Sequence, residues 1–256
     1  MSTDPSSQEI HKPELDNPNK PVKNLPESEL PIKPLTIEEI EEAAKKRVSR
    51  IDKEFAEGFA FIKNKEKSIS MFGSTRAAPD SAHYQQAYRL AKRFAELGYT
   101  VLTGGGPGIM EAANKGAFEG KGHSLGLGIK LAHAQATNPY LTDKVEFYYF
   151  FTRKVMLSFA AEAYIFFPGG FGTLDEFFEI VTLVQTNKIQ RVPIICVGED
   201  YWKPLQNFVY EQIYQKHNAI LKDEMNLYTI TDNEDEIVEI VKKVPIRNGV
   251  RYVEQQ

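Results

Sequence analysis

The sequence predicts an α/β protein: a doubly wound parallel sheet with helices on both faces, preceded by an N-terminal helix and a disordered tail. Three observations carry that expectation. From Lys67 onward, short apolar runs alternate with stretches of helical periodicity. The apolar runs are near-continuous, as in strands covered on both faces. Several of them end in glycine-rich turns that lead straight into a helix. No internal repeat with a period of 20–50 residues is visible.

Residues 1–35 hold seven of the 14 prolines, eight apolar residues and no aromatic one. Such text buries too little surface to offset a chain entropy of about 1–2 kcal/mol per residue, so it reads as a disordered tail. An extended strap docked on the body is the alternative. From Thr36, the residues Ile37, Ile40, Ala44, Val48, Ile51, Phe55 and Phe59 recur at helical spacing. Thr36 and Glu39 form a capping-box signature at the start of that stretch. The body therefore spans 36–256 as a single domain, with 36–66 as a helical extension. Its roughly 220 residues suffice for one core.

The remaining elements follow in order. Strands are expected at 67–73, 99–106, 123–129, 145–150, 163–170, 192–198 and 226–230. Helices are expected at 81–98, 107–120, 152–161, 173–185, 201–217 and 232–243. Gly98 suits a helix end and Pro107 a first turn. An irregular stretch runs from 130 to about Asp143.

Composition excludes several classes. Lys and Arg number 31 against 35 Asp and Glu, a net charge of −4, which leaves no basic excess to grip a nucleic-acid polymer. No apolar run approaches the length of a membrane span, and the N-terminus lacks the plan of a secretory signal, so a cytoplasmic protein is expected. The single cysteine, Cys196, excludes an intramolecular disulfide and reads as a buried strand residue. Five histidines show no metal-ligand spacing, and no metal is expected.

In open parallel sheets, ligands bind beyond the carboxyl ends of the strands. Three turns stand there: Phe72–Arg76 with Gly73 and Ser74, Gly104–Gly108, and Pro168–Thr173. Glycines let backbone N–H groups approach an anion at a helix N-terminus. A tight turn needing positive φ explains one such motif alone, but three on one sheet edge favour a phosphate. Neither the G-x-G-x-x-G nor the Walker A pattern occurs at these turns. Arg153 and Lys154 would fall in the first turn of a helix capped by Thr152, where cations oppose the helix dipole unless an anion binds; snorkelling to solvent is the alternative. Glu176 fits a capping box with Thr173, or is freed for chemistry if a phosphate takes the glycine-loop amides. Glu111 is the second carboxylate on these turns, poised between an exposed helix residue and a site residue.

With Gly104-Gly105-Gly106-Pro107-Gly108-Ile109-Met110-Glu111, Arg153-Lys154 and Pro168-Gly169-Gly170-Phe171-Gly172-Thr173-Leu174-Asp175-Glu176 in order, the chain resembles the LOG (Lonely Guy) family from about Lys67 to Lys243. These are cytokinin riboside 5′-monophosphate phosphoribohydrolases, often mislabelled as lysine decarboxylases. The resemblance implies a Rossmann-like fold, a homodimer with higher oligomers left open, and cofactor-free hydrolysis of the N-glycosidic bond of a nucleoside 5′-monophosphate such as AMP. It implies Arg153 and Glu176 as the catalytic pair. Substrate would be held by Gly169, Gly170, Phe171, Gly172, Thr173, Leu174 and Asp175 with Lys154 assisting, and by Gly73, Ser74, Gly105, Gly106, Gly108, Glu111 and Gln135. Asp175 stands where many members carry Glu, and Leu131–Gln135 replaces a segment in which relatives place a substrate-contacting glutamate. A non-catalytic nucleotide-binding module on the same scaffold is the alternative reading.

Overall fold

The computed structural model describes residues 36–63, 65, 67–130 and 137–244. The predicted tail and Gln135 lie outside the described residues. The described residues fall into two units, divided between Ala44 and Lys45. In the first unit the predicted capping box is formed: Thr36 N donates to Glu39 Oε2 at 2.8 Å, and Glu39 N to Thr36 Oγ1 at 3.2 Å.

The second unit is built on seven parallel strands in the order β4-β3-β2-β1-β5-β6-β7. The strands are β1 (Ser68–Phe72), β2 (Thr100–Thr103), β3 (Ser124–Ile129), β4 (Asp143–Phe147), β5 (Ala163–Phe166), β6 (Ile194–Cys196) and β7 (Thr229–Ile230). The helices are α1 (Ile37–Ile62), α2 (Ala82–Glu96), α3 (Ile109–Glu119), α4 (Phe150–Phe159), α5 (Phe171–Gln185), α6 (Glu199–Phe208) and α7 (Glu234–Lys242). Side chains alternate between the faces of each strand. Ile69, Met71, Val101 and Ile165 join the core under α2, α3 and α7. Phe72, Leu102, Leu125, Tyr164 and Phe166 join the core with residues of α1, α4, α5 and α6. Burial on both faces is why the inner strands β1, β2, β5 and β6 read as near-continuous apolar runs, and the doubly wound expectation holds.

Strand order decides where a ligand can sit. The chain steps outward from β1 to β4, then returns to lay β5 on the other side of β1. The turns after β1 and β5 therefore diverge and open a crevice between them.

Four local expectations change. The predicted apolar stripe of α1 is exposed at Ile37, Ile40 and Val48, and the buried positions are Glu54, Gly58 and Ile62. The predicted strand at 145–150 stops at Phe147, because α4 starts at Phe150. The predicted helix 201–217 starts at Glu199 and passes into a π-helix at Val209–Lys216. Residues 222–226 form a 3₁₀ turn, leaving a two-residue β7 of the predicted 226–230. Asp232 accounts for the early start of α6: its carboxylate accepts from Gly198 N and Glu199 N at 2.5 and 3.2 Å.

Candidate active site

At the β1/β5 crevice lies a cavity of about 900 Å³. Ser74 N donates to Pro168 O at 3.0 Å, tying its two main turns together. Gly73, Ser74, Gly105, Gly106, Arg153, Gly169, Gly170, Phe171, Gly172, Thr173, Asp175 and Glu176 all line it. Residues on four elements of the fold thus meet at one sheet edge.

The turn after β5 is stripped of side-chain caps. α5 starts at Phe171 with Gly170 as its cap residue, so Thr173 and Glu176 do not form the predicted capping box. The physical reason is the earlier start, which makes Thr173 the third helical residue, and its side chain packs close against Gly169, where a Cβ would run into Oγ1. Open space stands where Cβ atoms of Gly170 and Gly172 would project, and Phe171 is 95% exposed. Bare first-turn N–H groups with a helix dipole behind them are an anion site. Tyr201 donates its hydroxyl to Gly169 O at 2.8 Å and steadies this loop.

Glu176 is 8% exposed, and its Oε2 has no hydrogen-bond partner. Burial pushes its carboxyl up to about 7. Arg153 and Lys154 pull the other way, while Glu179 and Asp175 add to the rise. Burial also lowers the Arg153 guanidinium from its usual value, with the nearby Glu176 opposing that shift. Arg153 Nε donates to Leu127 O at 2.7 Å, and its guanidinium packs where a Cβ of Gly104 would be. An unpartnered carboxyl poised near neutrality in a cleft is the kind of perturbed group that functional sites collect.

Several nominated residues stand outside the cavity lining. Lys154 Nζ pairs with Asp175 at 2.9 Å and Glu179 at 3.3 Å. Glu111 accepts from the Tyr84 hydroxyl at 3.2 Å. Leu174 N bonds Gly170 O at 3.1 Å, and its side chain packs on the core. Gly108 has φ +70° and lies against the Ser74 carbonyl, so its part is to let two turns touch. Thr152 does not cap α4; Tyr149 is the cap residue, which places Arg153 at the fourth helical position. Arg76, Glu146 and Tyr201 also line the cavity and were not nominated from the sequence. The tyrosine carried no local signal; Arg76 sits in a turn already singled out and could have been found there.

A family model described as "Possible lysine decarboxylase" matches residues 110–241, half of the sequence. The chain belongs to that family, the LOG proteins. Among its relatives is cytokinin riboside 5′-monophosphate phosphoribohydrolase LOG7 of Arabidopsis thaliana, 27% identical over 150 residues, 57% of this chain and 69% of the relative. The probable LOG6 enzyme of the same plant is 29% identical over 146 residues, 56% and 72% of the two chains. Among solved structures, the molybdenum cofactor carrier protein of Chlamydomonas reinhardtii superposes with a TM-score of 0.51 at 19% identity, over 70% of this chain and 97% of that one, a likeness of fold.

The family's description raises lysine decarboxylation, and with it pyridoxal phosphate, which needs a lysine amine in the site. No lysine among the described residues lines the cavity, and Lys154 is engaged by two carboxylates. These residues do not fit that group. Among the described residues no cluster of three or more His, Cys, Asp or Glu is arranged to hold a metal, and no helix is long and apolar enough to cross a membrane.

Proposed function

We propose that this LOG-family chain hydrolyses the N-glycosidic bond of a nucleoside 5′-monophosphate, AMP or a cytokinin riboside 5′-monophosphate, to free base and ribose 5-phosphate. The observation that carries the reading is the unpartnered, buried carboxyl of Glu176 beside Arg153 at the mouth of a bare helix N-terminus. Ester phosphate accepts hydrogen bonds from the amides around Gly170–Thr173, and Arg153 adds a fixed positive charge. That anchoring places the ribose over the crevice, with the anomeric carbon turned toward Glu176.

As the C1′–N bond breaks, positive charge develops on the anomeric carbon and ring oxygen. A carboxylate in a poorly solvated cleft stabilises that charge and can accept a hydrogen bond from the attacking water, as in glycoside hydrolysis. The water oxygen bonds C1′, one water proton is lost, and the departing base nitrogen gains one. Near neutral pH Glu176 is divided between its two forms, so it can exchange that proton.

Incubation with AMP and isopentenyladenosine monophosphate, followed by chromatography of released base, tests the reading. Base release that Glu176→Gln abolishes supports it. Binding of AMP without release, unchanged in Glu176→Gln, would establish the non-catalytic nucleotide-binding module instead. The homodimer that the resemblance implies is checked by light scattering on the same preparation.

A further inference from the structure

The proposed site uses Arg153, and the helix carrying Arg153 is held at its start from far away in sequence. No side chain of its own cap residue accepts from the first turn of α4. Glu54 of α1 instead binds the two residues that lead into the helix and one hydroxyl of its first turn. Its Oε1 accepts from Tyr148 N at 2.8 Å, and its Oε2 from Tyr149 N at 3.2 Å. The Thr152 hydroxyl lies 2.6 Å from the same Oε2 and 2.8 Å from Tyr149 O. Glu54 itself is only 8% exposed. A carboxylate on helix-terminal N–H groups makes charge-assisted hydrogen bonds and offsets the macrodipole.

The surrounding packing is matched to this contact. At Gly58, one turn along α1, a Cβ would stand 2.6 Å from Met156 Cγ and Sδ, so glycine lets α1 close down on α4. Phe55 and Phe151 meet with ring centroids 6.5 Å apart, and Phe59 and Phe159 at 6.3 Å. Residues 54–59, Glu-Phe-x-x-Gly-Phe, thus form one helical face docked along α4. This face lies outside residues 110–241, the segment matched by the family model.

Arg153 follows Thr152 directly and gains its orientation from one bond to Leu127 O and from contact with Gly104. Loosening of the start of α4 would free the backbone beside Arg153 and with it the direction in which the guanidinium leaves the helix. We propose that Glu54 is a positioning residue: by pinning the first turn of α4 from α1, it sets where the Arg153 guanidinium stands in the cavity. Two helix N-termini then have different uses. That of α4 is tied to the chain's own carboxylate through Tyr148 N, Tyr149 N and the Thr152 hydroxyl, and that of α5 carries no side-chain cap. The functional importance of this device rests on the reading of Arg153 as the cation that holds substrate.

The test reads the place of Arg153 without substrate. Glu176 is faced by Arg153 and Lys154 from α4 and by Asp175 and Glu179 from its own helix, and Arg153 lowers its titration midpoint. Carbon-detected NMR titration of Glu176 in the full chain therefore reports the guanidinium, with Arg153→Ala giving the full upward displacement. Glu54→Gln is expected to move the midpoint upward toward the Arg153→Ala value, and the double variant to go no further than Arg153→Ala. Base release by Glu54→Gln is expected to fall about 100-fold in kcat/KM, the scale of a misplaced catalytic group. A folded Glu54→Gln whose Glu176 midpoint matches that of the wild type overturns the proposal, whatever its melting temperature. If Glu54→Gln does not fold, Thr152→Val is read the same way, upward movement supporting the proposal and none overturning it. A wild-type chain that releases no base defeats the hydrolase reading, while the titration still decides the role of Glu54.

Discussion

Replacing Glu176 by glutamine is expected to stop turnover and, at alkaline pH, to stabilise the fold. The carboxyl titrates at about 7 in the folded protein against an ordinary value of 4.5. Holding it ionised in the cavity therefore costs about 3 kcal/mol relative to the unfolded chain. The sign follows from proton counting. Below pH 4.5 both states hold the proton and the group contributes no pH dependence. Between 4.5 and 7 the folded state binds the proton more tightly, so wild-type stability falls as pH rises, and above 7 the loss is complete. Attraction to Arg153 is already contained in that midpoint. Urea unfolding of wild type and Glu176→Gln at pH 4, 6 and 8 isolates the effect, because the fixed cost of burying an amide cancels between pH values. The stability difference is expected to move by about 3 kcal/mol in favour of the variant from pH 4 to pH 8, roughly 6–12 °C in melting temperature for a body of this size. A difference that stays flat, or moves the other way, would refute the reasoning and show Glu176 ionising as a solvated carboxyl does.

Four further outcomes are expected. The base-releasing activity of the wild type rises with pH through about 7 as Glu176 becomes the carboxylate, and a pH–rate profile of kcat/KM checks this. Gly108→Ala loses about 2 kcal/mol or more in chemical denaturation, because φ +70° and the Ser74 carbonyl both oppose a Cβ. Lys154→Met lowers the melting temperature, by leaving Glu179 and Asp175 without their cation, while KM for nucleotide stays within about twofold. Tyr201→Phe removes the bond to Gly169 O and raises KM severalfold, with a stability loss of about 1 kcal/mol in the same unfolding assay.

The relation between sequence and site is clearest at the two cation- and carboxylate-bearing helices. The strand–turn–helix rhythm and the glycine turns were legible because they are local: apolar runs mark buried strands, and glycine marks close approach. Arg153 and Glu176 were legible as candidates from their neighbours in the motifs. Their helix starts were not. Local rules placed caps at Thr152 and Thr173, whereas α4 starts at Phe150 and α5 at Phe171, and Glu54 reaches the Thr152 hydroxyl from 98 residues away. Lys154 and Asp175, which the resemblance implies as substrate-holding residues, are ion-paired to each other, a contact that their separation in sequence does not show. Tyr201 and Glu146 had no local mark, since a tyrosine on a helix or a glutamate on an edge strand gains meaning only from what the chain lays across from it.

What the sequence by itself determined is the class of fold, the sheet edge on which the candidate site lies, and the residue types available there. The tertiary structure decided which of those residues face one cavity, which carboxyl is left without a hydrogen bond, and which helix start is held from another helix. The physical reason is range. Periodicity and turn chemistry act within a few residues, whereas desolvation, charge pairing and capping across helices depend on groups that meet only when β5 returns beside β1 and α1 closes on α4.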